Sequence, residues 1–218
     1  MKLHKSLIVA TICLLTTACE QHEEVIDYSL KVGNICCSNG NIVPIEGYDP
    51  ENMQGVGVIV HVGEENTYKA IAVALEDIGY YSYSDTLIAF SGVSADVKGM
   101  DGKENTAALL AISADEPTVS VPAADAATGY KAGNMTGWYL PACAELEMLA
   151  TNKNAIKPAM EKAGGRWLDS NEWYLSSTQD GTSENTGMFY AYCVSMTGKR
   201  KDGIKTDRYP VRAFIMIE

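Results

Sequence analysis

The cysteines are the residues with the widest chemical scope in this chain. Cys36 and Cys37 are adjacent, whereas Cys143 and Cys193 lie fifty positions apart. Neighbouring cysteines cannot bridge each other in unstrained geometry. Spare thiols tend to pair in an oxidising compartment, so a disulfide between Cys143 and Cys193 is one prediction. The alternative is that all four remain small, semi-buried thiols.

Metal binding has one candidate location, the loop STQDGTSENTG. Its Asp180, Glu184 and Asn185 offer oxygen ligands of the kind that Ca²⁺ prefers, but their order differs from that of an EF-hand. A solvated acidic loop explains the same residues equally well. The loop is therefore a candidate for a ligand or a cation, with no specific metal or cofactor indicated.

Catalytic patterns are missing from the sequence. His4, His22 and His61 have neither metal-binding spacing nor the partners of a serine-type triad. The chain contains no GxSxG, no HExxH and no glycine-rich phosphate loop. The sequence therefore predicts a protein that is not an enzyme, with no catalytic residues and no cofactor.

Arg212 and the tryptophans are further candidates for ligand contact. Arg212 stands in an apolar stretch, where a guanidinium must be paired or must reach solvent, so a structural ion pair is expected and ligand contact is the alternative. Trp138, Trp167 and Trp173 are expected in the core, although an exposed indole can also stack on a sugar.

The first residues have the layout of an export signal. Two lysines precede an apolar run from Leu7 to Ala18, which is shorter than the roughly 20 residues that a membrane span needs. TTAC then resembles a lipobox, so we expect residues 1–18 to be a lipoprotein signal peptide, cut before Cys19. Acyl chains on Cys19 would attach the mature chain to a membrane. The alternative is an ordinary signal that releases a soluble protein.

The charge of the chain argues against nucleic acid as a partner. The formal net charge is −11, and loss of Lys2 and Lys5 with the signal would make it −13. An acidic surface repels phosphate backbones. The acids of CEQHEE, directly after the expected cleavage site, resemble a signal for display on the outer face of the outer membrane. We expect an acidic tether over residues 19–30 and a single domain over residues 31–218.

The hydrophobic pattern changes twice along the chain. VGVIVHV, from Val56 to Val62, alternates as a half-buried strand does, and YKAIAVALED follows it after the turn signal GEEN, so the two segments are expected to pair as antiparallel strands. The middle favours helices, in ENTAALLAI, in PAADAATGYKA and in a pair that ends at Gly164. EWYLSST, MFYAYCVSM and YPVRAFIMI then read as strands, so the sequence predicts an α+β fold.

The order of several segments resembles a known family. VGNICCSNGNIV, DGKENTAALLA, GWYLPACAEL, EWYLSST and PVRAF together resemble the DUF1566-type domain of bacterial surface lipoproteins. That resemblance implies a C-type-lectin-like fold, with a mixed, mainly antiparallel sheet and helices inserted in the middle. The family usually has serine after the proline of GWYLP, whereas Ala142 stands here. We therefore expect the helix that follows to lack its N-terminal side-chain cap.

The same resemblance limits the function. The related formylglycine-generating enzyme uses two closely spaced cysteines, which the spacing of Cys143 and Cys193 does not reproduce. The sugar-binding tripeptides of calcium-dependent lectins are also missing. We expect a non-catalytic, surface-anchored module that binds an unknown glycan or protein ligand or serves in adhesion. The alternatives are a subunit of a pilus-like or polysaccharide-uptake assembly and, with less support, an enzyme of the formylglycine-generating type.

Overall fold

The structure is a computed structural model that describes residues 25–64, 67–182 and 186–218. The predicted signal and Cys19 lie outside these residues. Residues 25–30 of the predicted tether belong to no helix or strand. No helix within the described ranges has the length and apolar character to cross a membrane.

Along the chain, most helices lie between an N-terminal and a C-terminal group of strands, and strands from both groups join in one sheet. The largest sheet contains β1 (Ile35–Cys37), β2 (Ile42–Val43), β3 (Gly55–Val62), β4 (Ala70–Ala74), β6 (Trp138–Tyr139) and β11 (Phe214–Ile217). Their order is β2-β1-β3-β4-β11-β6. A second sheet consists of β7 (Trp173–Gln179), β8 (Tyr190–Ser195) and β9 (Arg200–Ile204), and β5 (Gly79–Ser82) pairs with β10 (Arg208–Val211).

The helices are α1 (Gly102–Asp115), α2 (Pro122–Gly129), α3 (Cys143–Thr151), α4 (Lys153–Lys162) and α5 (Thr186–Phe189). All strand pairings among the described residues are antiparallel. The predicted α+β class, with mainly antiparallel sheet and helices in the middle, is confirmed, but the predicted sheet was mixed and the described residues contain no parallel pairing.

The predicted hairpin of β3 and β4 is confirmed, but β3 is buried on both faces. Val58 and Val60 pack in the apolar cluster that includes α3 and α4, whereas Val56 and Ile59 pack in the cluster around Trp138. The register with β4 shifts between Ile59 and His61. A strand covered on both faces is apolar on both, as Ile59 shows here, but the alternation of valine with Gly57 and His61 suggested that only one face is buried.

The predicted strand from Tyr209 to Ile217 is wrong as a single element. The chain leaves the two-stranded sheet after Val211 and enters the large sheet at Phe214, with Arg212 at the crossing. Arg212 is 1% exposed. Its Nε donates to Asp77 Oδ1 at 2.7 Å, and its Nη1 and Nη2 donate to the carbonyls of Ala74 at 3.0 Å and Arg166 at 3.1 Å. The expected structural ion pair is confirmed, and it holds three segments at the crossing.

We expect Arg212→Met to lower the free energy of unfolding by about 3 kcal/mol, because it removes the ion pair and the donors to the buried Ala74 carbonyl and the part-buried Arg166 carbonyl. Asp77 is more than a third exposed, so water replaces part of its lost attraction. Urea denaturation measures the change. Arg208→Met, at an exposed position of β10, is the matched control and should cost well under about 1 kcal/mol. Equal effects of the two substitutions would contradict the assigned role.

Candidate functional site

The proposed disulfide between Cys143 and Cys193 is not formed in the structure, where both thiols are free and buried. Successive side chains of a strand point to opposite faces. Val194 packs in the same apolar cluster as Cys143, so its neighbour Cys193 points the other way, into the cluster around Leu175. The alternative interpretation, small buried thiols, describes Cys36 and Cys37 as well.

Burial makes these thiols unreactive. It raises the pKa of Cys36 to about 11 and the pKa values of Cys143 and Cys193 to about 12, and it also raises that of Cys37. Thiols react as thiolates. We expect iodoacetamide to leave all four unmodified in the native protein and to label all four in denaturant without a reductant. Peptide mapping by mass spectrometry measures this, and a linked Cys143–Cys193 peptide would contradict it.

Asp180 is committed to contacts within the protein. Although burial opposes the effect, hydrogen bonds lower the pKa of Asp180 below its usual value. Its Oδ1 accepts from Thr182 N at 2.8 Å and from Tyr192 Oη at 2.9 Å, and the residue is 2% exposed. The other two candidates in this loop, Glu184 and Asn185, lie outside the described residues. Among the described residues, no group of three His, Cys, Asp or Glu side chains is placed to hold a metal ion.

A buried lysine, which the sequence pattern did not indicate, lies beside this loop. Lys205 is fully buried, and its Nζ donates to the carbonyls of Ile88 at 2.9 Å and Gly187 at 2.6 Å and to Gln179 Oε1 at 3.1 Å. The rings of Tyr83 and Phe90 lie 5.0 and 4.7 Å from the ammonium. Burial lowers the pKa of Lys205 to about 7. Lys205 stands in the polar segment GIKTDR, and a lysine in such a segment is usually exposed, so the sequence did not indicate its burial.

Glu145 is a second buried ionisable group. Its Oε2 accepts from Ala142 N at 2.7 Å and its Oε1 accepts from Tyr139 Oη at 2.9 Å. Burial raises the pKa of Glu145 to about 8. Ala142 has no side-chain acceptor, as expected, but Thr178 Oγ1 of β7 accepts from Cys143 N at 3.0 Å. Glu145 therefore keeps its half of the capping box at the start of α3, and a tertiary contact with Thr178 replaces the acceptor that the Ala142 side chain lacks.

The tryptophans have three different environments. Trp138 is 1% exposed, and its Nε1 donates to the Met135 carbonyl at 3.2 Å. Trp173 lies under Lys201, whose Nζ is 5.0 Å from the ring centroid. Trp167 is half-buried at the edge of the main apolar cluster and also lines an open groove. Trp167 thus lies beside a groove whose size suits a ligand.

That groove lies between α4 and the segment before β7. It encloses about 410 Å³ and is lined by Lys153, Asn154, Lys157, Pro158, Trp167 and Ser170. Ligand pockets commonly have volumes of about 300 to 1,000 Å³. Two ammonium groups, an indole, a hydroxyl and an amide can bind an organic anion, but they include no nucleophile with an activating base. The groove is therefore a candidate binding site.

No family model matches the chain, and no curated protein matches it in sequence. Among solved structures, the chain is similar to a fimbrial protein from Bacteroides ovatus ATCC 8483, with a TM-score of 0.61 and 16% sequence identity over 85% of this chain. The match covers 48% of the fimbrial protein, so the chain spans about half of its length. At this identity the likeness concerns the fold alone. The chain therefore shares its fold with a part of a fimbrial protein.

Proposed function

We propose that this protein is a non-catalytic, lipid-anchored protein of the bacterial cell surface that serves as a subunit of a fimbria-like assembly. The observation that carries the proposal is the fold likeness to a fimbrial protein over 85% of the chain. The basic and apolar start of the sequence, followed by Cys19, supports anchoring by acyl chains. The segments from VGNICC to PVRAF support a DUF1566-type, C-type-lectin-like domain as part of the same proposal.

The assembly role predicts stable partners. Cells would be cross-linked mildly, the protein would be purified from detergent-solubilised membranes, and co-purifying chains would be identified by mass spectrometry. A reproducible partner in fixed ratio to this chain is expected. A monodisperse monomer without partners would reject the assembly role.

The anchor has its own test. The intact mass of the native protein is expected to show acyl chains on Cys19, and protease treatment of whole cells is expected to remove the protein. Cys19→Ala is the matched control, because it preserves the apolar run but removes the acylated thiol. An unacylated protein, or one that resists protease on intact cells, would overturn surface anchoring whatever the result for partners.

Adhesion through ligand binding is the second candidate function. The groove beside Trp167 favours it, because a half-exposed indole next to two lysines is a recognition surface without catalytic groups. The two functions are compatible, since a subunit of a surface assembly can also bind a ligand. They are separable by experiment, because ligand binding does not require the assembly.

A further inference from the structure

The groove beside Trp167 has a rigid wall. Arg166 N donates to the Leu75 carbonyl at 2.9 Å, and Asp169 N donates to Tyr174 Oη at 2.8 Å, so the backbone is fixed on both sides of Trp167. Leu168, between them, is 1% exposed. A side chain that is fixed before binding loses little conformational entropy when a ligand arrives. Trp167 also packs against the main apolar cluster, so its indole is a preorganised surface on which a flat apolar face can stack.

The opposite wall carries positive charge in an acidic protein. Lys153 and Lys157 lie four residues apart on α4, a spacing that places both side chains on one side of a helix. Within the described residues, Lys153 forms no salt bridge, and Lys157 has only an exposed contact with Glu161 at 3.8 Å. Such a contact is weak in water. Two ammonium groups are thus available in a chain of net charge −11.

Neutral polar groups complete the lining of the groove. Asn154 on α4 and Ser170 before β7 both line it. The Asn154 side-chain amide and the Ser170 hydroxyl can donate and accept hydrogen bonds beside the two charges. Neutral polar groups, cations and an aromatic face match a ligand that carries hydroxyls, carboxylates and an apolar ring face.

We propose that the groove between α4 and Trp167 binds an acidic saccharide, with a uronic acid ring stacked on Trp167 and its carboxylate paired with Lys153 and Lys157. This inference rests on the second candidate function, ligand binding, and is independent of the assembly role. The chemistry favours a sugar over an acidic peptide, because the apolar face of a pyranose ring matches the rigid indole while its hydroxyls match Asn154 and Ser170.

The probe is a galacturonic acid tetrasaccharide, titrated calorimetrically into the full-length protein purified in detergent. We expect a dissociation constant below about 1 mM that weakens with added salt, because the contact pairs charges near the surface. Trp167→Ala and the pair Lys153→Gln with Lys157→Gln should each weaken binding by about tenfold or more. The pair Lys98→Gln with Lys131→Gln makes the same charge change at exposed positions and should bind normally.

Two further probes separate charge from sugar recognition. The tetrasaccharide with its carboxylates reduced to alcohols should bind at least about tenfold more weakly, because the paired charges are lost. A tetraglutamate peptide should also bind more weakly, because it cannot stack a pyranose ring. Thermal melting of each variant shows whether it folds. If Trp167→Ala fails to fold, Trp167→Phe replaces it in the test. Because phenylalanine keeps an aromatic face, this variant should retain part of the binding.

The proposal is overturned if the tetrasaccharide does not bind, or if the groove variants bind it as the unmodified protein does. It is also overturned if the reduced tetrasaccharide or the peptide binds equally well. Each of these results would leave the co-purification test of the assembly role unaffected. Binding by a monomer without partners would support the groove and reject the assembly role, so the two failures are distinguishable.

Discussion

Replacing Glu145 with glutamine is expected to abolish a fall in stability between about pH 4.5 and 8. The pKa of Glu145 is raised by burial, to about 8 in the folded protein, from 4.5 as its ordinary value. Between these values the unfolded chain has released a proton that the folded protein still holds, so the free energy of unfolding falls as the pH rises. For a fully buried group the fall is on the order of 4 kcal/mol. Glutamine does not titrate and keeps an acceptor for Ala142 N.

Urea denaturation at a series of pH values measures this effect. Glu145→Gln should show a flatter profile and be more stable than the unmodified protein at pH 8, because no carboxylate must be kept protonated. Glu51→Gln is the matched control, since Glu51 is exposed and its replacement should not flatten the profile. A Glu145→Gln profile parallel to that of the unmodified protein would show that the carboxyl group is solvated and not buried as described.

Replacing Lys205 with methionine is expected to abolish a rise in stability between about pH 7 and 10.5. Burial lowers the pKa of Lys205 to about 7, from 10.5 as its ordinary value. In that window the unfolded chain holds a proton that the folded protein has released, so the free energy of unfolding rises with pH. Stability from this group is present above the unfolded pKa and is lost as the pH falls through the folded pKa. Its size is on the order of 4 kcal/mol.

The same denaturation series tests Lys205→Met. Methionine preserves the length of the side chain but does not titrate, so the variant should lack the rise. It should also be less stable than the unmodified protein near pH 10, because it leaves the Ile88 and Gly187 carbonyls without a donor. Lys98→Met, at an exposed position, is the control and should preserve the rise. If both variants keep it, Lys205 is not the group responsible.

These two buried groups oppose each other along the pH axis. Protonated Glu145 supports the fold at low pH, whereas neutral Lys205 supports it at high pH, and the two windows meet between about pH 7 and 8. A variant carrying both Glu145→Gln and Lys205→Met should therefore have a flatter stability profile than either single variant. The two sites share no hydrogen-bond partner, so their effects should be nearly additive.

Much of the secondary structure could be predicted because it depends on local periodicity. The hairpin of β3 and β4 follows from the spacing of apolar residues. The end of α4 follows from Gly164, whose φ of 81° is a conformation that glycine adopts readily after a helix. The α+β class followed from the change of period along the chain. The predicted final strand failed at Arg212 because its two halves join different sheets, and pairing partners far along the chain are not encoded in local periodicity.

For the candidate site residues as well, the sequence indicated residue types and the structure identified their neighbours. The apolar neighbours of Arg212 indicated that its guanidinium must be paired or must reach solvent, and the structure identifies Asp77 as its partner. The thiols of Cys143 and Cys193 were a candidate pair because sequence shows composition but not which face of a strand a residue occupies. Trp167 was one of three equivalent tryptophans, and the groove beside it became visible only when α4 and the following segment were packed together.

The sequence by itself determined the acidic charge, the alternation of strands and helices and the missing catalytic motifs, and it predicts an export signal, because each depends on residue types or short spacings. Only the tertiary structure decided the burial of Glu145 and Lys205, the separation of the thiols and the groove that Trp167 and two lysines line. The physical reason is that burial and electrostatic environment depend on neighbours brought together from distant segments, and these are set by packing of the whole chain.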